Sequence, residues 1–511
     1  MEISPQRGAT DVHSSEQVRL RFDRAMDQAS VSARLQVKPA VRGTVRWTSD
    51  RELTFQHAPF NPSTQYQVVL DPGYRDAAGG TNSLRHSWTF RTEAPPLLTG
   101  ATPGQGDRDV DPASYVTLTF SREMDPTTLG GAISLSPAVP FTIQPDASDP
   151  RRVILAPESL LASRQDYSVA VNQGAHDVDG NALGVGSLVS FTTGDFRPLK
   201  HWMGFIAESS PGGGGDGVWI VNENRFPRRL VSAPVSGFSW SADGTRVLLR
   251  SPAGTWTDQA LGGVATTPAI RGGWADFLAP GRGYAFVDEG RLQVLPPAGI
   301  PVPVAGGVEQ AAVAPGGVRL AFVVGDTPSA GSSEIDAYDI DLRARYRLQV
   351  EQGGVDGLSW SPDGLSIAYR VDTGDPARRQ VRVRSLKDGR LVTVATGEVS
   401  APAWQADRQH VFVSASVRTP DGPATKAFRL AIDAGSPAAL SPSQGMPSAR
   451  DVPVQSLSPS PDGHQLAFVS DATGRPSVWL MNADGTGLSQ LTAYDAERFP
   501  YWCRSVLWTP T

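Results

Sequence analysis

In the first two hundred residues, apolar and polar positions alternate in short runs. Val18-Arg-Leu-Arg-Phe22 and Val116-Thr-Leu-Thr-Phe120 make every second side chain apolar, the pattern of a strand with one buried face. Turn-forming pieces such as Asp76-Ala-Ala-Gly79-Gly80 and Asp177-Val-Asp-Gly180-Asn181 separate these runs. The runs also recur in order. Leu20-Arg-Phe-Asp-Arg-Ala-Met26-Asp27 returns as Leu118-Thr-Phe-Ser-Arg-Glu-Met124-Asp125, and Tyr66-Gln-Val-Val-Leu70 returns as Tyr167-Ser-Val-Ala-Val171. Trp88-Thr-Phe90-Arg-Thr92 closes the first copy as Val189-Ser-Phe191-Thr-Thr193 closes the second. The pattern predicts two similar β domains, residues 1–94 and 95–196.

About seven strands in roughly 100 residues make a β-sandwich of immunoglobulin type. An opening Ser4-Pro5, a strand ending Phe-x-x-x-Met-Asp, a Tyr-x-Val strand, an Asp-x-x-Gly turn and a terminal Phe-x-Thr resemble the bacterial Ig-like domains of S-layer and other surface proteins. The turn Asp177-Val-Asp179-Gly180-Asn181 superficially matches the start of a calcium-binding EF-hand loop. Its twelfth position falls on Leu188 where that loop needs a glutamate, and the sister turn keeps only Asp76 and glycines. A structural turn without a metal is the expectation.

From about residue 200 a different repeat takes over. Trp240-Ser-Ala-Asp243-Gly244, Trp360-Ser-Pro-Asp363-Gly364 and Pro459-Ser-Pro-Asp462-Gly463 each precede an apolar strand, and weaker copies centre on Phe277, Val313 and Trp404. With Trp502 as a seventh anchor, the period is about 44 residues, the length of a four-stranded propeller blade. Asp-Gly tolerates the positive φ that joins two antiparallel strands. Later strands show in pairs such as Val381–Arg384 with Leu391–Val394 and Val478–Met481 with Leu488–Leu491. Such small sheets bury their faces only by stacking around an axis.

The Trp-Ser-Pro-Asp-Gly and Asn482-Ala-Asp-Gly-Thr486 signatures resemble the TolB-like propellers of bacterial envelopes, over residues 197–511. The fold class expected is therefore all-β: two Ig-like sandwiches followed by a β-propeller. The familiar TolB-like domains have six blades, and the anchors here favour seven. Segments 204–207, 218–221 and 229–231 read as a blade without its first strand, and 499–508 reads as a first strand without followers. Pairing the two would close the ring and leave no exposed sheet edge.

Composition narrows the function classes. The 46 Lys+Arg against 52 Asp+Glu give a net charge of −6 without long blocks, so there is no electrostatic footprint for nucleic acid or an anionic membrane. The 52 glycines and 42 prolines fit many tight turns. The lone Cys503 excludes an intramolecular disulfide and a thiolate-rich metal site, and its place beside Trp502 in a strand predicts a core residue. No apolar run reaches the ~18 residues of a membrane span. Met1-Glu2-Ile3-Ser4-Pro5 runs straight into domain sequence, so an export or anchor segment is expected to lie outside this chain.

Catalytic motifs are sparse. The seven histidines (His13, His57, His86, His176, His201, His410 and His464) lack metal-binding or zincin spacing. There is no Gly-x-Ser-x-Gly elbow, and the hydrolase domain that follows such propellers in prolyl-oligopeptidase peptidases is not part of this sequence. Pro211-Gly-Gly-Gly-Gly215-Asp216-Gly217 lacks the Gly-Lys-Ser/Thr ending of a phosphate loop and predicts a hairpin loop. Trp240, Trp360, Trp404 and Trp502 recur at blade spacing, as core packing would require.

Four positions before each anchor, where the chain enters the innermost strand, stand Ser236, Gly273, Glu309, Asp356, Ser400, Gln455 and Arg498. This polar ring at one mouth of the propeller is the candidate binding site. Neither catalytic residues nor a cofactor are expected. Both resemblances imply an extracytoplasmic protein, periplasmic, surface-bound or secreted. The expected function is non-enzymatic binding or scaffolding, an Ig-like stalk presenting a propeller to another envelope or surface protein, a peptide or a glycan. A monomer that does not itself insert into a membrane is expected. The alternatives are the sensor ectodomain of a membrane-anchored regulator, and an enzyme or enzyme-accessory domain that uses the propeller mouth.

Overall fold

The computed structural model describes all residues except 210–215, 326–330, 421, 434–439, 447–452, 493–498 and 511. Pro211–Gly215 of the expected glycine-rich hairpin and the mouth residue Arg498 lie outside the described residues. The chain forms two compact units, residues 1–157 with 161–195, and 196–511 with 158–160.

In the first unit each repeat is a seven-stranded sandwich. The first packs a sheet ordered Glu2–Ser4, Val18–Arg21, Glu52–His57, Gly43–Trp47 over one ordered Leu35–Lys38, Gln65–Leu70, His86–Arg91. The second repeats this with Leu98–Thr102, Val116–Phe120, Asp149–Pro157, Phe141–Asp146 over Ile133–Ser136, Asp166–Val171, Ser187–Thr192. The alternating apolar positions face inward: Val18, Leu20, Tyr66, Val68 and Phe90 in one core, Val116, Leu118, Tyr167, Val169 and Phe191 in the other. Each buried tyrosine keeps its hydroxyl satisfied from the backbone, Asn61 N donating to Tyr66 at 2.9 Å and Ala162 N to Tyr167 at 3.0 Å.

The Met-Asp motif turns out to have two jobs. Met26 and Met124 are buried, while Asp27 and Asp125 cap the short helices Gln28–Ser32 and Pro126–Ala132. Helices of one to two turns show no apolar period, so alternation alone misses them. In the suspected calcium turn, Asp177 Oδ1 accepts from the backbone N–H groups of Asp179 at 3.1 Å and Asn181 at 2.8 Å. Asp76 serves its sister turn in the same way, accepting from Ala78 and Gly80.

Among the described residues the second unit contains seven antiparallel sheets. Their innermost strands are Gly237–Trp240, Trp274–Phe277, Val308–Val313, Gly354–Trp360, Ala403–Trp404, Gln455–Pro459 and Trp502–Trp508. Five of these sheets have four strands in sequence order, and another, the one that begins with Ala403–Trp404, has three, with His410–Thr419 and Gly422–Ala431. The remaining sheet is composite. Trp502–Trp508 pairs with Met203–Glu208, which is followed outward by Gly217–Val221 and Arg228–Val231. Phe499, Cys503, Val506 and Trp508 share a core with Met203, Phe205, Val221 and the sixth sheet's Val469 and Leu480.

Repeated side chains fix the turns and join neighbouring sheets. Ser241, Ser361 and Ser460 donate to the turn carboxylates Asp243, Asp363 and Asp462 at 2.5–2.6 Å, and each accepts a strand N–H at 2.9 Å. Gly244, Gly364 and Gly463 have φ of +67°, +66° and +78°, the geometry for which the Asp-Gly turns are suited. Trp360 Nε1 reaches Ala312 O and Trp404 Nε1 reaches Ser359 O, each at 3.1 Å on the preceding innermost strand.

The last anchor is displaced from its expected place. Trp502 is only half-buried, whereas Trp508 is buried and is followed by Thr509-Pro510 as Trp360 is by Ser361-Pro362. Trp508 N donates to Ser458 Oγ of the sixth sheet at 3.1 Å. The repeat register therefore puts Arg504, not Arg498, four positions before the seventh anchor. No Asp-Gly follows Trp508, so the signal that indexes other repeats is missing there.

Removing 502–511 deletes three fully buried side chains, Cys503, Val506 and Trp508, each worth about 1.5–3 kcal/mol. The melting temperature of the propeller should fall by roughly 10 °C or more, measured by calorimetry. Gly204→Val should destabilise the same junction without shortening the chain, because a Cβ there would lie 2.7 Å from the Trp240 ring.

Candidate functional site

Those of the expected mouth residues that are described occupy the entry ends of the innermost strands or the turns leading into them, and several are already engaged. Asp356 forms an ion pair with Arg370, whose Nη1 also donates to Val399 O of the next sheet at 2.9 Å. Ser236 Oγ donates to Ser251 O at 3.1 Å, and Ser400 Oγ accepts from Ser414 N at 2.9 Å. Glu309 and Gln455 are exposed. Arg504, at the corrected seventh position, pairs with Glu208 at 2.6 Å and donates to Val235 O at 3.2 Å.

At the opposite ends of these strands, a cavity of about 670 Å³ opens between the first and second sheets. In an antiparallel sheet built in sequence order, the first-to-second and third-to-fourth turns lie at the same end, and this cavity is rimmed by such turns. Its floor holds Asp258, buried and bound by three donors. Arg246 Nε donates at 2.8 Å, Arg246 Nη2 pairs at 2.8 Å, and the Tyr284 hydroxyl donates at 2.6 Å. Burial first, then this hydrogen bond, pushes the Tyr284 phenol well above its usual range, so it stays a donor. Phe277 and Tyr284 pack with their ring centroids 5.7 Å apart.

The repeat departs from its own pattern here. Where three other sheets carry Ser-x-Asp-Gly, the second has Leu278-Ala-Pro-Gly281, so its own turn offers neither serine nor carboxylate to the cavity, and Ser241 and Asp243 of the first sheet's turn are the ones that line it. Gly283, at φ +87°, has no room for a side chain, since a Cβ would lie 1.9 Å from Leu295 O. Val264 and Ile300, on the third-to-fourth-strand turns bordering the opening, are 83% and 80% exposed. Sequence reading missed this site because no catalytic motif marks it; the signal was the irregular turn beside two aliphatic residues in turns.

A second unexpected group is Asp276, on the innermost strand of the second sheet. The residue before the anchor is small in five other sheets, Ser239, Ala312, Ser359, Ala403 and Ser458, so aligning the anchors would have picked it out. Burial raises its carboxyl to about 6, against the opposing effects of the Phe277 N–H at 2.9 Å and the Ser239 hydroxyl. Cys503 is buried against Thr492, and its thiol is pushed up to about 12 by burial, which holds it in the un-ionised form. His410 hydrogen-bonds Asp407 at 2.7 Å, with Arg429 also bound to that carboxylate at 2.9 Å.

Residues 1–92 and 93–193 each match the family model described as the bacterial Ig-like domain, so the first unit consists of two such domains. Among solved structures, the chain is similar to TolB from Acinetobacter baumannii, with 14% identity, a TM-score of 0.40 and coverage of 74% of this chain and 83% of that one. For the putative TolB from Agrobacterium tumefaciens the values are 17%, 0.35, 57% and 88%. For the β-propeller domain of the Trilobed protease from Pyrococcus furiosus they are 10%, 0.33, 51% and 72%. The sheet order and composite closing sheet of the second unit define a β-propeller without appeal to these likenesses.

Asp276 has a pH consequence. Its folded value of about 6 exceeds the unfolded carboxyl value of ~3.9, so the folded state binds the proton more tightly. Stability should therefore fall as pH rises from about 4 to about 6, and remain reduced above that. After allowance for solvent screening at a half-buried site, the loss is about 1–2 kcal/mol. Asp276→Asn should raise the melting temperature at neutral pH and flatten the profile between those limits, as read by thermal denaturation across pH.

Proposed function

We propose that this is a non-enzymatic binding protein of the bacterial envelope or cell exterior, in which two Ig-like domains carry a propeller that docks an apolar segment of a partner protein. The observation that carries this reading is the cavity between the first two sheets, with Val264 and Ile300 exposed on the turns beside it. Isolated exposed aliphatics are ordinary, but two flanking a cavity lined by aromatic and proline side chains favour an interaction site.

Charge narrows the partner segment. The cavity is lined by one cation, Arg246, and two carboxylates, Asp243 and Asp258, with Arg246 and Asp258 already paired. An acidic ligand would add a third negative charge, so a neutral apolar side chain fits best. A backbone carbonyl beside it could accept from Arg246. The Ig-like pair supports an extracytoplasmic setting, because the resemblance is to domains of bacterial surface proteins. No helix among the described residues is long and apolar enough to cross a membrane.

A photo-crosslinker placed at Thr266, on the cavity rim, tests the reading against solubilised envelope proteins of the source cell. Val264→Asp with Ile300→Asp should abolish a specific adduct at unchanged melting temperature, while Glu309→Lys at the opposite end should leave it intact. Loss with Glu309→Lys and retention with the double variant would instead assign binding to the strand-entry face and its polar ring.

A further inference from the structure

We propose that the junction of the two Ig-like domains is a proton-controlled clamp, in which charged His13 of the first domain bridges the linker carboxylate Glu93 and Asp179 of the second, and loss of the proton loosens the interdomain angle that the remaining contacts across the junction hold less tightly.

The linker Thr92-Glu93-Ala94-Pro95-Pro96 is fastened at both ends. Glu93 N donates to Val12 O at 3.0 Å and Ser63 N to Glu93 O at 2.7 Å, which ties the Glu93 backbone to the first domain. Gly184 N donates to Pro96 O at 2.9 Å, tying the other end to the second. The pivot lies between Glu93 and Pro96. The wholly buried Glu93 side chain crosses it, with Oε1 accepting from Asn181 Nδ2 at 2.8 Å and Oε2 paired with Arg122.

His13 makes the second crossing. Its Nδ1 lies 2.8 Å from Asp179 Oδ2 and 3.2 Å from Glu93 Oε2. Ser15 Oγ donates to Asp179 Oδ1 and Ser14 Oγ to Asp179 O, each at 3.2 Å. One nitrogen thus faces two carboxylate oxygens. The imidazolium satisfies both with a proton and a charge, whereas the neutral ring can offer one N–H at most, and in its other tautomer sets a lone pair against them.

The charged groups facing His13 are Asp179 from its turn, Glu93 from the linker and Arg122 from the segment after Val116–Phe120. Asp177, behind the turn, is engaged by Asp179 N, Asn181 N and Asn181 Nδ2. With His13 protonated, two cations balance two carboxylates; without the proton the cluster is left with one excess negative charge around a buried glutamate. Arg122 already holds the Glu93 oxygen nearest His13. The hydrogen bond to Asp179, with the charges of Asp179 and Glu93, raises the His13 pKa against partial burial and Arg122. The clamp is therefore fully made below the ordinary histidine value of ~6.5, and is lost as pH rises through the higher folded value.

Spin labels on Thr44→Cys and Ser134→Cys, exposed positions in the two domains, report their separation in the full chain by pulsed dipolar spectroscopy. The buried, un-ionised Cys503 escapes labelling. The expected result is a narrow distance distribution near pH ~5.5 that broadens or shifts near pH ~8.5, with a midpoint above ~6.5. His13→Gln, at a mostly exposed side chain, should give the broad distribution at both pH values, and Asp179→Asn should lower the midpoint. A wild-type distribution that does not change with pH, or a change that persists in His13→Gln, would overturn the proposal.

Discussion

The pairing of Trp502–Trp508 with Met203–Glu208 is the constraint on which the propeller depends. A sheet of three or four short strands cannot exclude water from both faces, so each blade is stable only between two neighbours. A ring supplies those neighbours to every member, but only once it is closed. The composite sheet closes it with main-chain hydrogen bonds between segments some three hundred residues apart, and Trp240 lies against Gly204 of the same sheet.

Much of the architecture was legible because β structure writes itself with a period of two, and because repeats reveal one another. The two sandwiches and the terminal closure followed from such patterns, as did the Asp-Gly turns. The short capped helices escaped because five or seven residues carry no periodic signal. The seventh anchor was misplaced by six residues since Trp508 is followed by Thr-Pro without Asp-Gly, and Arg498 stood in the ring where Arg504 belongs.

The candidate sites were less legible, for a different reason. Strand patterns report which side chains face a core, whereas Asp258, Arg246 and Tyr284 meet across neighbouring strands and sheets, at separations no local spacing encodes. The same holds for His13, Glu93 and Asp179, drawn from two domains and their linker. The Asp177–Asn181 turn attracted attention as a possible calcium loop, yet its Asp177 carboxylate is used up by the turn itself and its Asp179 by the neighbouring domain. A carboxylate-rich turn thus contributes to domain geometry.

Closure by distant segments also orders the protein's biosynthesis. The Ig-like domains are complete in the emerging chain before any blade, but Met203–Glu208 must wait for Trp508. At about 5–20 residues per second that wait is roughly 15–60 s. Throughout it, an apolar strand edge with unmade backbone hydrogen bonds is open to other chains. The nascent propeller is therefore open to mispairing for longest at its first strands, whose partner is the last to be made.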